Sequence, residues 1–269
     1  MKKIGFIGAG NIAEAIIRGL ISSSLYDSGE IIISDAVKKR TIDLNKRMGV
    51  AVADDNLQLI DLADVIFISV KPNMVESVLY EIKKNLLHEK ILISLAAGKS
   101  LGKLKSMLDG YKYIVRIMPN LAAKVRKSTV SLYADSDFSS ARLESVKKIL
   151  SAFGRVFVIE DELLMPSITA LSGSAPAYYV MMANALIEFG VEEGMERELA
   201  TKMILQTMEG AALWAESSKI PLSELWQQVV TPGGTTEAGI NHFTKNKFLE
   251  TFVEGLRLAT KKAKEMGDG

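Results

Sequence analysis

The stretch KIGFIGAGNIAEAI, residues 3–16, decides the fold. Ile4-Gly5-Phe6-Ile7 reads as a short buried strand, Gly8-Ala9-Gly10 as a turn, and the residues from Asn11 to about Ser23 as a helix. Gly8, Gly10 and Ala13 have the G-x-G-x-x-A spacing. Gly8 permits the tight turn, Gly10 lets a pyrophosphate approach the backbone, and Ala13 keeps the helix close to the strand. The first amides of a helix lack intrahelical acceptors, so a bound phosphate would sit on them. Gly8, Ala9, Gly10, Asn11 and Ile12 are therefore expected to hold a dinucleotide.

Outward from this motif, short apolar runs alternate with amphipathic stretches: Ile31 to Ser34, Val65 to Val70, Ile91 to Leu95, Tyr113 to Met118 and Val156 to Ile159. Runs apolar on both faces suit a parallel sheet covered by helices, and helices are expected near 37–48, 72–86 and 139–153. After Ile159 the strand signal stops, and helical patterns follow over 175–193, 197–218, 221–230 and 248–266. The fold class is α/β, with a Rossmann-type doubly wound sheet in a dinucleotide-binding domain over 1–160. A second, all-helical domain is expected over 161–269. Apolar helices carrying Met181, Met182, Met203 and Met208 are expected to bury surface against a second subunit.

Composition sets limits on function. With 269 residues, 48% of them hydrophobic, the chain can bury a sizeable core. Its 33 basic and 32 acidic residues leave a net charge of +1, which gives no field for nucleic acid or an anionic membrane. The absence of Cys excludes disulfides, thiolate metal sites and a Cys nucleophile, and permits a reducing cytoplasm, the expected location. The first strand is too short and too early for a signal-peptide core or membrane span. Of the two His, His88 reads as plain surface and His242 follows the Gly-Gly-Thr-Thr segment; neither builds a zinc site or a Ser-His-Asp order, so no metal is expected.

At the end of the second strand, Asp35 suits the adenosine ribose hydroxyls, whereas Lys38, Lys39 and Arg40 could accommodate a 2′-phosphate. NAD and NADP both stay open. Three loops follow strand ends where such a fold binds ligands: Val70-Lys71-Pro72, Ala96-Ala97-Gly98, and Arg116 to Asn120. Small residues at 96–98 would let a nicotinamide ring lie against backbone. Lys71 alone could serve an alcohol as acid or base. Reduction of an imine asks for less, because a protonated C=N already draws hydride.

In VVTPGGTTEAGI, residues 229–240, adjacent glycines leave backbone N–H groups unobstructed before a helix beginning near Thr236. That arrangement can seat a carboxylate, with a Thr hydroxyl reaching the neighbouring nitrogen.

The motifs IGFIGAGNIAEAI, SVKP, RIMPN, TALSGSAPAYY, LQTMEGAA and VTPGGTTEAGI, in this order and spacing, make the whole chain resemble pyrroline-5-carboxylate reductase. The resemblance implies hydride transfer from NADPH or NADH to the C=N bond of 1-pyrroline-5-carboxylate, giving proline, in a homodimer or a larger ring of dimers. It also makes the domain over 161–269 the one for substrate binding and dimerisation. Thr236 and Lys71 become the candidate catalytic residues. Substrate contacts are expected from Gly233, Gly234, Thr235, Thr236, Thr231 and Ser174. Cofactor contacts are expected from Asp35, Lys39, Val70, Lys71, Pro72, Ala96, Ala97, Gly98 and Asn120 beside the glycine loop. The chain departs from the family pattern at Leu121-Ala122, where Thr-Pro is usual, and at Val125-Arg126-Lys127-Ser128, where V-G-x-G is usual. Further departures stand at Met165-Pro166, Ala175, Thr231 and Glu237. They leave open a reductase of a related cyclic imine, a hydroxyacid dehydrogenase using Lys71, and a catalytically weak dinucleotide-binding regulatory relative.

Overall fold

A computed structural model describes residues 3–87 and 90–268, so His88 lies outside the described residues. The strands are β1 (Ile4–Ile7), β2 (Ile31–Ser34), β3 (Ala51–Val52), β4 (Val65–Ile68), β5 (Ile91–Ser94), β6 (Ile114–Met118), β7 (Ser128–Tyr133) and β8 (Gly154–Val158). They form one sheet of order β3-β2-β1-β4-β5-β6-β7-β8. Every neighbouring pair is parallel except β6 and β7. β3 and β7 were not among the expected strands: β3 has two residues, and STVSLY in β7 lacks the apolar run that marks the others. β7 is instead fixed by ladders with β6 and β8.

Alternation along the strands builds two cores. Ile4, Phe6, Ile31, Ile33, Val65 and Phe67 face one side and pack with α1 (Asn11–Ser22) and α6 (Ser140–Ser151). Ile7, Ile32, Ile66, Ile68 and Leu92 face the other. That side is covered by α3 (Asn56–Leu62), α4 (Val75–Ile82) and α5 (Leu101–Met107). Phe6 and Phe67, paired in register, stack with centroids 4.6 Å apart. Apolar residues on both faces of each strand, with helices over both, make the doubly wound architecture expected from the sequence. α2 (Lys38–Met48) returns the chain from β2.

The remaining helices are α7 (Met165–Ile168), α8 (Ala175–Glu192), α9 (Arg197–Ser217), α10 (Leu222–Leu225), α11 (Thr235–Lys245) and α12 (Phe248–Asp268). A π-helical turn, Thr169–Gly173, joins α7 to α8. The unusual Pro166 falls in the first turn of α7, where its missing N–H costs no helical hydrogen bond. The described chain divides into two compact units, residues 1–176 with 257–269, and residues 177–256. In the second unit Tyr179, Val180, Met181, Phe189, Met203 and Leu213 are exposed. Among the described residues, no helix is long and apolar enough to cross a membrane.

Candidate active site

Strand order reverses direction of growth between β1 and β4, where an α/β sheet opens a crevice at the strands' C-terminal ends. A cleft of about 930 Å³ lies there, lined by the loop Gly8 to Ile12 and by Asp35, Asn56, Ser69, Val70 and Lys71. Gly8 has φ +101°, and an added Cβ would stand 2.8 Å from the backbone carbon of Ser69 and the nitrogen of Val70. Its N–H donates to the Ser34 carbonyl at 2.8 Å, and its carbonyl accepts from Ser69 Oγ at 2.7 Å. Glycine at position 8 is thus dictated by the fold itself.

Gly10 is the opposite case. It caps α1 in an extended conformation, and a Cβ built on it meets nothing within 4 Å. The protein leaves open the place where the glycine loop faces the cleft, so a Cβ there would conflict only with a ligand. The unpartnered first amides of α1 and this open space fit a dinucleotide pyrophosphate.

Around the second strand end, Asp35 accepts the Ala9 N–H at 2.8 Å through Oδ2 and the Val37 N–H at 2.7 Å through Oδ1. The carboxylate therefore ties the glycine loop to the start of α2. Arg40 stands 3.5 Å from it and lines the cleft, which Lys39 does not; Lys38 donates to the Asp54 carbonyl. Arg47 grips Glu14 in a two-pronged contact of 2.7 and 3.0 Å. That hydrogen bonding holds the Glu14 carboxyl below its ordinary value, against the opposing effect of burial. Asn56 accepts from Ser34 Oγ at 2.9 Å and donates to Glu81 at 2.8 Å. Sequence reading missed Asn56, Arg47, Glu14 and Glu81 as cleft residues. The one local signal was Asp55, whose side chain caps α3 at the Gln58 N–H, 2.8 Å away, and so fixes Asn56 at the helix start.

Val70 and Lys71 line the cleft as expected. Pro72 opens a short 3-10 turn and faces a second cavity of about 540 Å³ with Lys71, Asn73, Glu76, Lys99 and Met266. Ala96, Ala97 and Gly98 are not among the residues lining the main cleft. A Cβ on Gly98 would lie 2.6 Å from the Met266 backbone, so packing against the end of α12 already requires smallness there. Burial and the nearby Lys103 ammonium push the Lys99 amine down. Asn120 is buried and structurally engaged: it donates to the Ser172 carbonyl at 3.0 Å and accepts the Ala122 N–H at 3.1 Å. Arg116, also buried, pairs with Glu162, which accepts the Leu101 N–H as well.

The departure at Arg126 has a structural account away from the cleft. Its φ is +59°, a conformation that suits the glycine of the family pattern. Its guanidinium donates to the Ala152 carbonyl at 3.0 Å, at the C-terminal end of α6.

In the second unit, Thr231-Pro232-Gly233-Gly234 is a tight turn. Gly233 has φ +73° and the Gly234 N–H donates back to the Thr231 carbonyl at 2.8 Å, with Pro at the second position. Gly234 then caps α11. The Gly233 N–H is also engaged, donating to Glu237 Oε2 at 2.8 Å. Both glycine amides are therefore held within the turn, and the amides that helix geometry leaves for an anion are those of Thr235, Thr236 and Glu237. Ser174, half-buried in the first unit, donates its own N–H to the Thr169 carbonyl at 2.8 Å. Among the described residues, no group of three His, Cys, Asp or Glu is placed to hold a metal ion.

Residues 162–266 match the family model for pyrroline-5-carboxylate reductase dimerisation, and residues 3–98 match that for coenzyme F420-dependent NADP oxidoreductases. The chain is 34% identical over 266 residues to pyrroline-5-carboxylate reductase of Pseudomonas aeruginosa, covering 99% of this chain and 97% of that one. Identity to the enzyme of that name from Arabidopsis thaliana is 33% over 264 residues, covering 98% and 95%. Among solved structures, Plasmodium falciparum pyrroline carboxylate reductase with NADP bound superposes with a TM-score of 0.91 at 31% identity, covering 99% of this chain and 98% of that one.

Proposed function

The chain belongs to the pyrroline-5-carboxylate reductase family, and we propose that it reduces the C=N bond of 1-pyrroline-5-carboxylate to give L-proline with NADPH or NADH. The observation that carries this reading within the molecule is Gly10: the fold leaves its Cβ position open while the neighbouring Gly8 is closed in by backbone. When bound, the reduced dinucleotide supplies hydride to the C=N carbon, and the protonated nitrogen takes up the electron pair released from the double bond.

The chain's own residues bind and orient. Gly8, Ala9, Gly10, Asn11 and Ile12 offer the pyrophosphate backbone amides and an unobstructed approach. Val70, Lys71, Pro72 and the Ala96-Ala97-Gly98 turn flank the nicotinamide end, and Asn120 shapes it by holding the end of β6 to the Ser172 carbonyl. Thr235 and Thr236 seat the substrate carboxylate on the first amides of α11, within the rigid turn set by Thr231, Gly233 and Gly234. The Thr236 hydroxyl accepts a hydrogen bond from the protonated ring nitrogen and so aligns the reacting bond. Lys71 adds a positive charge near the substrate. Ser174 supports the substrate end.

The same reading takes the division of labour to fall near residue 160, with the dinucleotide held before it and dimerisation after it. It assigns the enzyme to the cytoplasm as a homodimer, assembled further into a ring of dimers. Initial-rate assays with pyrroline-5-carboxylate and each reduced cofactor test the activity. Turnover to proline is the expected result, and cofactor binding without turnover of this imine would favour the regulatory reading instead.

A further inference from the structure

We propose that the cleft selects NADH over NADPH, because each arginine beside the expected adenosine ribose is already matched to a carboxylate of the cleft. This inference rests on the reductase reading above. Asp35 stands at the end of β2 with only 8% of its side chain exposed, and its two oxygens are fixed by the Ala9 and Val37 amides. Arg40 faces that carboxylate at 3.5 Å. Arg47 is gripped by both oxygens of Glu14 at 2.7 and 3.0 Å. Lys38 turns away to the Asp54 carbonyl, and Lys39 does not line the cleft. Asp43 and Glu81 add two further carboxylates to the lining.

The nearby charges therefore balance or lean negative. A ribose 2′-hydroxyl meets in Asp35 an acceptor whose orientation is set by two backbone donors. A 2′-phosphate, carrying close to two negative charges, would meet the same fixed carboxylate and would have to draw Arg40 or Arg47 from its present partner. The cost falls on NADPH alone, since the two dinucleotides are otherwise identical.

Titration calorimetry of the full-length protein with NADH and with NADPH, alongside kcat/KM for each, tests the inference. NADH is expected to bind at least tenfold more tightly. Asp35→Asn, which keeps an acceptor for a backbone amide but removes the charge, is expected to shrink that ratio several-fold. Arg40→Ala, which takes away the counter-charge of Asp35, is expected to widen it. Equal or tighter NADPH binding would overturn the inference, as would an Asp35→Asn variant with an unchanged ratio. A shift toward NADPH in Arg40→Ala would overturn it too, because loss of the Asp35 counter-charge can only add to the repulsion of a 2′-phosphate. Should Asp35→Asn fail to fold, the wild-type ratio and the Arg40→Ala variant still decide. Failure of the wild type to bind either dinucleotide would overturn the reductase reading along with this inference. Tight NADH binding without imine turnover would overturn the reductase reading alone.

Discussion

Two glycines two positions apart obey different constraints, and substitution separates them. Gly8→Ala places a side chain at φ +101° and within 2.8 Å of backbone, so it is expected to cost about 1–3 kcal/mol of stability. A Cβ at Gly10 meets no protein atom within 4 Å, so for Gly10→Val the melting temperature should hold while dinucleotide affinity collapses. Thermal melts paired with fluorescence titration check both, and near-normal cofactor binding by Gly10→Val would refute the pyrophosphate assignment. Thr236 tests the substrate side. Thr236→Val keeps shape and backbone amides but removes the hydroxyl, so cofactor binding should be unchanged. kcat/KM should fall about 5- to 150-fold, the equivalent of about 1–3 kcal/mol. Full activity with a lowered melting temperature would reduce Thr236 to a helix-start residue. Single residues such as Gly8, Gly10 and the Thr pair were legible in the sequence because their chemistry is local: a turn, a missing side chain, a free amide. Asn56 and Arg47 were not, since their place beside the cleft comes from partners distant in sequence, Glu81 for one and Glu14 for the other.

At the scale of elements, the contact between α1 and α2 is the clearest electrostatic link. Arg47, near the end of α2, clamps Glu14 in the first turn of α1, and the hydrogen bonds lower the Glu14 pKa from 4.5. A depressed carboxyl contributes stability that is fully present above its unfolded value and is lost as pH falls through the folded one. Glu14→Gln should therefore be less stable than wild type near neutrality, and the gap should close as the solution is acidified below pH 4.5. Denaturant midpoints measured for both proteins across the acid range check this, and a gap independent of pH would defeat it. Elements themselves differed in how clearly the chain announced them. β1, β2, β4 and β5 are mostly apolar runs and β6 is one interrupted by Arg116, and the sequence marks them. β7 is polar at Ser128, Thr129 and Ser131, and it exists because β6 and β8 offer it ladder partners on both sides. The glycine turn before α11 reads in the sequence as an expected anion seat. Engagement of its two glycine amides, by Thr231 and Glu237, required the backbone path to be seen.

For the whole molecule, exposed apolar side chains from α8 and α9 set the expected assembly. Tyr179, Val180, Met181, Phe189, Met203 and Leu213 are each at least half exposed in the single chain, more than isolated surface apolar residues explain. Light scattering at micromolar concentration should give a dimer mass or a multiple of it, and Met181→Asp should shift the population toward monomer. A wild-type monomer would sink the assembly. The sequence by itself determined the sheet class, the glycine turn and the family, because apolar runs, turn-forming glycines and motif spacing are properties of neighbouring residues. Only the tertiary structure decided which charges meet in the cleft. Gly98 and Met266 show the same division: nothing near residue 98 in the chain announces that the end of α12 arrives there. Such contacts join segments far apart in sequence, and their geometry is set by how the whole sheet and its helices pack.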